Sequence, residues 1–542
     1  MVLFSKSSGT VWSFSSLCKF VRRLAIWVRA AETSRLPFCL PLCTSLSVIE
    51  TLSRTLSAKS QDYTTMAVQL YYFPIRGRGQ AIRYICLDND IELENVNIGA
   101  EWATKYKPLM PFGQVPVIED GGVKVAQSCA ILRYLGKKAG LKEPSDPLVA
   151  ARVDMINDQG EDIRGAYVRM IYGNYETGKD DLIKDAKAKT QFIETLMSGW
   201  GSDFITDTIS FADYNLFDLL DILCVLSPGF LDEFPTLQAY FDRIAARPNI
   251  KKHLSDHTHI ANDKPVEITM LLEFETRNPQ RSFDPNISES VTTCALKCDS
   301  ILFIMSLPDE LGLRWNRILK AFANSLDPDE TPQNVASHQD PNLTVQLFYF
   351  SSRGRAQAIR YLCLDNGIDY EEVDVDQEWT TKYKPMMPFG QVPVIEDGGV
   401  KVAQSCAILR YLAKKAGLNV HENLVVAART DMINDQVEDI RGAYIRMIYE
   451  HEGSEKDFLK TAKVKVEYIE TLMSNWGSDY ILDKISYADY NLFDMLDVLS
   501  LMSPGFWDDF PTLKAFHDRI AARPALKAYR DTDAFKLLPQ NG

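Results

Sequence analysis

Residues 66–146 are patterned as short strands alternating with helices. "VQLYYF" (68–73) reads as a strand and "GQAIRYICLDND" (79–90) as a helix. "VPVIED" and "VKVAQS" read as a hairpin turning through Asp120, Gly121 and Gly122. "SCAILRYLGKKAG" reads as a helix that ends at Gly140. From about residue 148 the period changes. "ARVDMINDQGEDIRGAYVRMIY" carries apolar positions at steps of three and four, the spacing of a helix face. "SFADYNLFDLLDIL" opens with a capping box, Ser210 and Asp213. The pattern predicts a small α/β domain followed by an all-helical one.

The whole pattern then returns. "KYKPLMPFGQVPVIEDGGVKVAQSCAILRYL" (105–135) reappears as "KYKPMMPFGQVPVIEDGGVKVAQSCAILRYL" (382–412), and Ser210 and Asp213 reappear as Ser486 and Asp489. The offset is constant up to Tyr172 and Tyr449 and one residue shorter after them. The unit is far too long for a solenoid repeat, so two whole proteins stand in tandem. The expected domains are 66–146 (α/β, copy 1), 147–256 (helical, copy 1), 343–423 (α/β, copy 2) and 424–542 (helical, copy 2).

Two segments match neither copy. Residues 1–65 are serine-rich, with eight Lys/Arg against three acids, and "LCKFVRRLAIWVRAA" is basic and amphipathic. That composition is similar to a mitochondrial transit peptide. The plainer expectation is a native start at Met66, the leader being an extension or an artefact of gene prediction. Residues 257–342 include "SLDPDETPQNVASHQDPN" and read as a poorly ordered linker. A flexible segment of that length spans roughly 50 Å root-mean-square, enough for the copies to pack side by side.

Composition narrows the class. The 542 residues are 46% hydrophobic and 24% charged, with no apolar run long enough to span a bilayer. A net charge of −14 argues against nucleic acid as a partner. Ten cysteines make no Cys-x-x-Cys pair, and no Cys/His spacing suits a metal. The expectation is no metal, free buried thiols and a reducing, cytoplasmic setting, mitochondrial if residues 1–65 are a transit peptide.

The candidate chemistry begins at Tyr72, which ends a strand before Arg76-Gly77-Arg78. Val115 precedes Pro116 between a loop and a strand; a cis bond there would turn the Val115 N–H and C=O outward, toward an extended peptide. Gln127 and Ser128 immediately precede a helix whose first N–H groups can take a carboxylate. Lys107 offers a cation for a second carboxylate. The set suits a short extended peptide with a carboxylate at each end and a thiol between. Each residue has a plainer structural reading: Lys107 solvated, Trp102 packing, Asp162 paired with Arg164.

At these residues each copy resembles a cytosolic glutathione transferase, most closely the pi class. The resemblance rests on Tyr-Phe-Pro-x-Arg-Gly-Arg, "FGQVPVIEDG", "QSCAILRYL", "DMINDQGEDIRGAY", "YGNYETGKDD", "SFADYN" and "ARP", and covers about 66–255 and 345–542. It implies a fold that is α/β plus all-α, twice: a thioredoxin-like domain with a mixed sheet, then an all-helical domain. It implies glutathione as co-substrate, small hydrophobic electrophiles as substrates, and transfer of an alkyl or aryl group to the glutathione sulfur. Tyr72 and Tyr349 would hydrogen-bond that sulfur, supported by Arg78 and Arg355. Trp102, Lys107, Trp379 and Lys384 would hold the glycyl carboxylate. Val115-Pro116 and Val392-Pro393, beside Gln114 and Gln391, would pair with the cysteinyl unit. Gln127-Ser128 and Gln404-Ser405 would take the γ-glutamyl carboxylate. Asp162 and Asp439 would reach the γ-glutamyl amine across a dimer. Phe73, Ile75, Tyr172, Phe350, Ser352, Tyr449 and Gly542 would line the electrophile pocket. Phe112 and Phe389 would plug into the neighbouring subunit.

Such enzymes are twofold dimers. The tandem offers either an intrachain pseudo-dimer, with Asp439 serving Tyr72 and Asp162 serving Tyr349, or a homodimer of chains. Copy 2 departs from the pattern at Ser351 and Ser352, which replace Pro74 and Ile75, so the pockets are expected to differ in polarity. Copy 1 loses the pattern after "HLSDH". Rival readings are a crystallin-like structural protein, a ligand-binding protein and a prostaglandin isomerase.

Overall fold

The structure is a computed structural model, and it describes residues 67–255, 344–418, 423–451 and 453–541, together with two short strands, Leu3–Phe4 and Val11–Trp12, that pair antiparallel. Gly542, residues 257–342 and all of 1–65 but those two strands lie outside the described residues, so the leader, the linker and the Gly542 pocket assignment do too.

Each copy begins with a four-stranded sheet. In copy 1 the strands are β1 (Val68–Tyr72), β2 (Leu93–Asn97), β3 (Val117–Asp120) and β4 (Val123–Ala126), in spatial order β2-β1-β3-β4. In copy 2, β5 (Val345–Tyr349), β6 (Tyr370–Asp374), β7 (Val394–Asp397) and β8 (Val400–Ala403) lie in the order β6-β5-β7-β8. Strand β5 runs parallel to β6, with Val345 opposite Tyr370, and antiparallel to β7, with Leu347 opposite Ile395. A parallel neighbour needs a crossover. Helix α8 (Gln357–Asp365) supplies it, as α1 (Gln80–Asp88) does in copy 1. The sheets are mixed, as expected. Burial along β1 alternates, with Val68, Leu70 and Tyr72 inward, which is the strand period.

Helix α2 (Ser128–Lys138) is buried on almost every face from Ser128 to Gly136. It packs against its own sheet on one side and against copy 2 on the other. The helical part of copy 1 is α3 (Pro147–Gly173), α4 (Tyr175–Trp200), α5 (Phe211–Leu226), α6 (Pro235–Ala245) and α7 (Pro248–Ser255). Copy 2 follows with α9 (Ser405–Lys415), α10 (Leu424–Ile445), α11 (Glu455–Trp476), α12 (Tyr487–Met502), α13 (Pro511–Ala521), α14 (Pro524–Asp531) and α15 (Asp533–Leu537). Helix α2 lies on α10, and α9 lies on α3, so each copy's second helix packs on the other copy's long one.

Both capping boxes form: Ser210 N–H donates to Asp213 at 2.7 Å and Ser486 N–H to Asp489 at 2.7 Å. The one-residue difference between the copies falls after Tyr172 and Tyr449. Helix α3 runs straight to Gly173, whereas α10 passes into a π-helical turn at Arg446–Glu450. Ser454 then caps α11 by accepting from the Asp457 N–H at 3.2 Å. Among the described residues no helix is long and apolar enough to cross a membrane.

Candidate functional site

Tyr72 stands at the last position of β1, and its hydroxyl accepts a hydrogen bond from the backbone N–H of Arg78 at 3.0 Å. In copy 2 the Arg355 N–H donates to the Tyr349 hydroxyl at 2.8 Å. The glycine between the arginines is what permits this. Gly77 has φ +37°, and a Cβ there would lie 2.5 Å from the Tyr72 hydroxyl oxygen. Gly354 stands in the same relation to Tyr349. The resemblance implied that Arg78 and Arg355 support the sulfur site; what each gives its tyrosine directly is a main-chain N–H.

The guanidinium of Arg78 turns to the helix start instead. It donates to Ser128 Oγ at 3.1 Å and forms an ion pair with Glu161. Arg355 donates to Ser405 Oγ at 3.3 Å and to Glu438 at 2.6 Å. Glu161 also accepts from Asn215 Nδ2 at 3.0 Å and pairs with Arg164 at 3.2 Å. Burial would raise the Glu161 carboxyl, but Arg78 and Arg164 hold it down to about 2. Glu438 is held at about 2 in the same way, by Arg355 and Arg441. Sequence reasoning missed this glutamate. The signal was present, a Glu-Asp pair repeated at 161–162 and 438–439, of which only the aspartate was read.

An aromatic row leads away from each tyrosine. Phe73 meets Tyr72 at 6.1 Å and Trp102 at 5.9 Å, both edge-to-face; Phe350 meets Tyr349 at 5.8 Å and Trp379 at 5.5 Å. Lys107 and Lys384 are exposed and begin short helical turns just beyond the tryptophans. Val115-Pro116 and Val392-Pro393 are cis, with Gln114 and Gln391 exposed beside them.

Gln127 and Gln404 have φ +69° and +68°, a conformation rare outside glycine. Each precedes a helix that starts at the predicted serine, Ser128 or Ser405. Their side chains cross to the other copy. Gln127 Nε2 donates to Gln436 at 2.9 Å and to Asp439 at 3.4 Å; Gln404 Nε2 donates to Gln159 at 2.9 Å and to Asp162 at 3.2 Å. Asp162 is not taken up by Arg164, which is buried on Asp218, Asn215 and Glu161.

Tyr172 and Tyr449 are exposed at the ends of their helices. Burial raises the Tyr349 hydroxyl; the Arg355 N–H and guanidinium pull it back, and Tyr449 is close enough to add a smaller upward push. Ile75 and Ser352 are both buried. The carbonyls of these two residues accept from Arg83 at 2.9 Å and Arg360 at 2.8 Å, which ties down the loop after each tyrosine. Ser351 is the exposed serine, and its hydroxyl donates to Asp374 at 2.7 Å. Phe112 and Phe389 are buried. The glycines after them face the other copy: a Cβ on Gly390 would meet Phe192 at 3.2 Å, and one on Gly113 would strike Tyr468. Cys86, Cys129, Cys363 and Cys406 are buried, and burial pushes the Cys129 and Cys406 thiols upward. Among the described residues no group of three or more His, Cys, Asp or Glu side chains is placed to hold a metal ion.

Comparison with known proteins follows the same division. The pattern of the glutathione S-transferase N-terminal domain matches residues 68–137 and again 345–414, and that of the C-terminal domain matches 161–257 and 438–533. The chain belongs to the glutathione S-transferase family. It carries the family's two domains twice in tandem, with similarity to the pi class. Glutathione S-transferase P of Homo sapiens is 43% identical over 196 residues, which is 35% of this chain and 92% of that protein. The glutathione S-transferase of Dirofilaria immitis is 38% identical over 206 residues, 37% of this chain and 98% of that protein. The solved Onchocerca volvulus pi-class glutathione S-transferase is 37% identical, with 37% of this chain and 98% of that one aligned and a TM-score of 0.35. In this tandem glutathione S-transferase, Arg78 bonds to both Tyr72 and Ser128, and Gln127 beside Ser128 bonds to Asp439 of the opposite copy.

Proposed function

We propose that both copies bind glutathione and conjugate it to small hydrophobic electrophiles. The observation that carries this reading is the fixed hydroxyl of Tyr72 and Tyr349, anchored by the Arg78 and Arg355 N–H groups at the strand end. That N–H enters a lone pair of the oxygen, so the hydroxyl hydrogen is the group's own donor toward a sulfur. A free thiol has a pKa near 8.5, and only a few per cent is thiolate at neutral pH. One charge-assisted hydrogen bond is worth about 1.5–3 kcal/mol, which lowers that pKa by roughly one to two units. The thiolate sulfur then attacks the electrophilic carbon of an aryl halide. The C–S bond forms, the C–halogen bond breaks, and the halide leaves with its electron pair, the thiol proton having gone to water.

The peptide would lie from Lys107 and Trp102, past Val115-Pro116, to Gln127-Ser128, with Asp439 closing the Tyr72 site from the other copy. The reciprocal set in copy 2 closes on Asp162. The chain therefore works as an intrachain pseudo-dimer, supported by the reciprocal bonds of Gln127 and Gln404. The free, buried thiols of Cys129, Cys363 and Cys406 fit a reducing, cytoplasmic setting.

The test is conjugation of glutathione to an aryl halide by the purified chain, with native mass measured alongside. Turnover by a species of one chain supports the reading. Binding of glutathione without conjugation would replace it with a crystallin-like or ligand-binding role.

A further inference from the structure

Gln159 on α3 and Gln436 on α10 hold the same position in the two copies, and both are fully buried. The side-chain oxygen of each accepts from the glutamine that precedes the opposite copy's helix start: Gln436 from Gln127 and Gln159 from Gln404, both at 2.9 Å. An amide nitrogen carries two hydrogens. The partner's glutamine and the partner's aspartate can therefore both be reached, as the 3.4 Å and 3.2 Å approaches to Asp439 and Asp162 indicate. Gln127 and Gln404 also hold a positive φ, which persists only where surrounding contacts over-determine it. The side-chain anchor for that conformation comes from the other copy. A second observation points the same way. Among the described residues, the Nε2 atoms of Gln159 and Gln436 are buried without a hydrogen-bond partner. A buried amide N–H₂ without an acceptor is costly, and an incoming carboxylate would supply one.

We infer that Gln436 and Gln159 are positioning residues of the opposite copy's glutathione site. Each orients the glutamine at the opposite copy's helix start, and through it the γ-glutamyl end. The inference rests on the transferase reading above and adds a residue pair to it. It also makes the site of each copy incomplete without a side chain other than the aspartate from its neighbour.

The test uses the full chain with Tyr349→Phe, so that the remaining conjugation reports the Tyr72 site. Gln436→Ala and the volume-keeping Gln436→Met are each expected to raise the glutathione KM about two- to tenfold, the worth of one net hydrogen bond. The expected kcat at saturating glutathione stays within about twofold, because the groups that activate the thiol are untouched. The mirror experiment places Gln159→Met in the Tyr72→Phe chain and expects the same at the Tyr349 site. An active parent whose KM moves with neither substitution overturns the inference alone. An equal KM rise when Gln436→Met is placed in the Tyr72→Phe chain also overturns it, since the residue would then act through its own copy's fold. A Tyr349→Phe parent that shows no conjugation overturns the transferase reading and this inference with it.

Discussion

The Arg78 backbone N–H and the Tyr72 hydroxyl lie 3.0 Å apart, and Gly77 between them has no room for a side chain. Because the arginine contributes through its main chain, the tyrosine oxygen can be tested alone. Tyr72→Phe is expected to remove about 1.5–3 kcal/mol of thiolate stabilisation at one copy. Its turnover should fall about tenfold or more near neutral pH, and its pH–rate profile should move up by roughly one to two units. Tyr349→Phe should act likewise on the other copy and the double variant on nearly all activity. Steady-state conjugation against pH checks this; a double variant with intact rates would remove the tyrosine from the mechanism.

Glu161 carries a charge that two arginines share. Its carboxyl is held at about 2, so its contribution to stability is present above the unfolded value near 4.3 and is lost as pH falls toward 2. Arg78 and Glu161 are partly exposed, which discounts the pair to about 1 kcal/mol. Glu161→Gln is expected to lower the unfolding temperature at pH 7 by several degrees. The gap to the parent should close on acidification below about pH 4. Thermal unfolding of both proteins across that range decides it.

Where α2 and α9 meet the opposite long helices, Arg133 and Arg410 lie among four carboxylates. Arg133 pairs with Asp154 at 2.7 Å and Arg410 with Asp431 at 3.0 Å, while Arg133 reaches Asp431, and Arg410 reaches Asp154 and Asp158, across the copies at 3.9 Å. Burial pushes Asp158 up to about 7 and Asp435 to about 6, against the pull of both arginines. An acid with a raised pKa binds its proton in the fold where the unfolded chain has lost it. Stability then falls as pH rises from about 4 to about 7. Asp158→Asn removes that loss. Its unfolding temperature relative to the parent is expected to climb across the same window; a gap independent of pH would refute the assignment.

The two tyrosine loops are braced differently. Arg76 pairs with Asp221 at 2.5 Å and Asp218 at 3.2 Å. In copy 2 the Arg353 N–H donates to the Pro539 carbonyl at 2.8 Å, and the Gly354 N–H to that of Gln540 at 3.1 Å. The Tyr444 hydroxyl donates to Asn541 at 2.9 Å. Deleting residues 539–542 is expected to raise the electrophile KM of the Tyr349 site severalfold and to spare the Tyr72 site. The two Tyr→Phe chains, each carrying the deletion, separate the effects.

Much of this was legible in the residues. Strand and helix periods, the two capping boxes, the cis Val-Pro positions and the duplication are local or repetitive, so they survive in one dimension. The roles expected of Tyr72, Ser128 and Asp439 came from the resemblance to the pi class, not from any spacing. Other features depended on contacts between residues far apart in the chain. Gln127 meets Gln436, and Arg353 meets the tail beyond Leu537, only once helices from separate copies and domains have packed. The burial of Ser352 and the bond from Arg360 to its carbonyl likewise arise only on folding. No local period encodes such partners. Their geometry follows from burying α2 against α10 and α9 against α3, which leaves each helix start to be completed by the opposite copy.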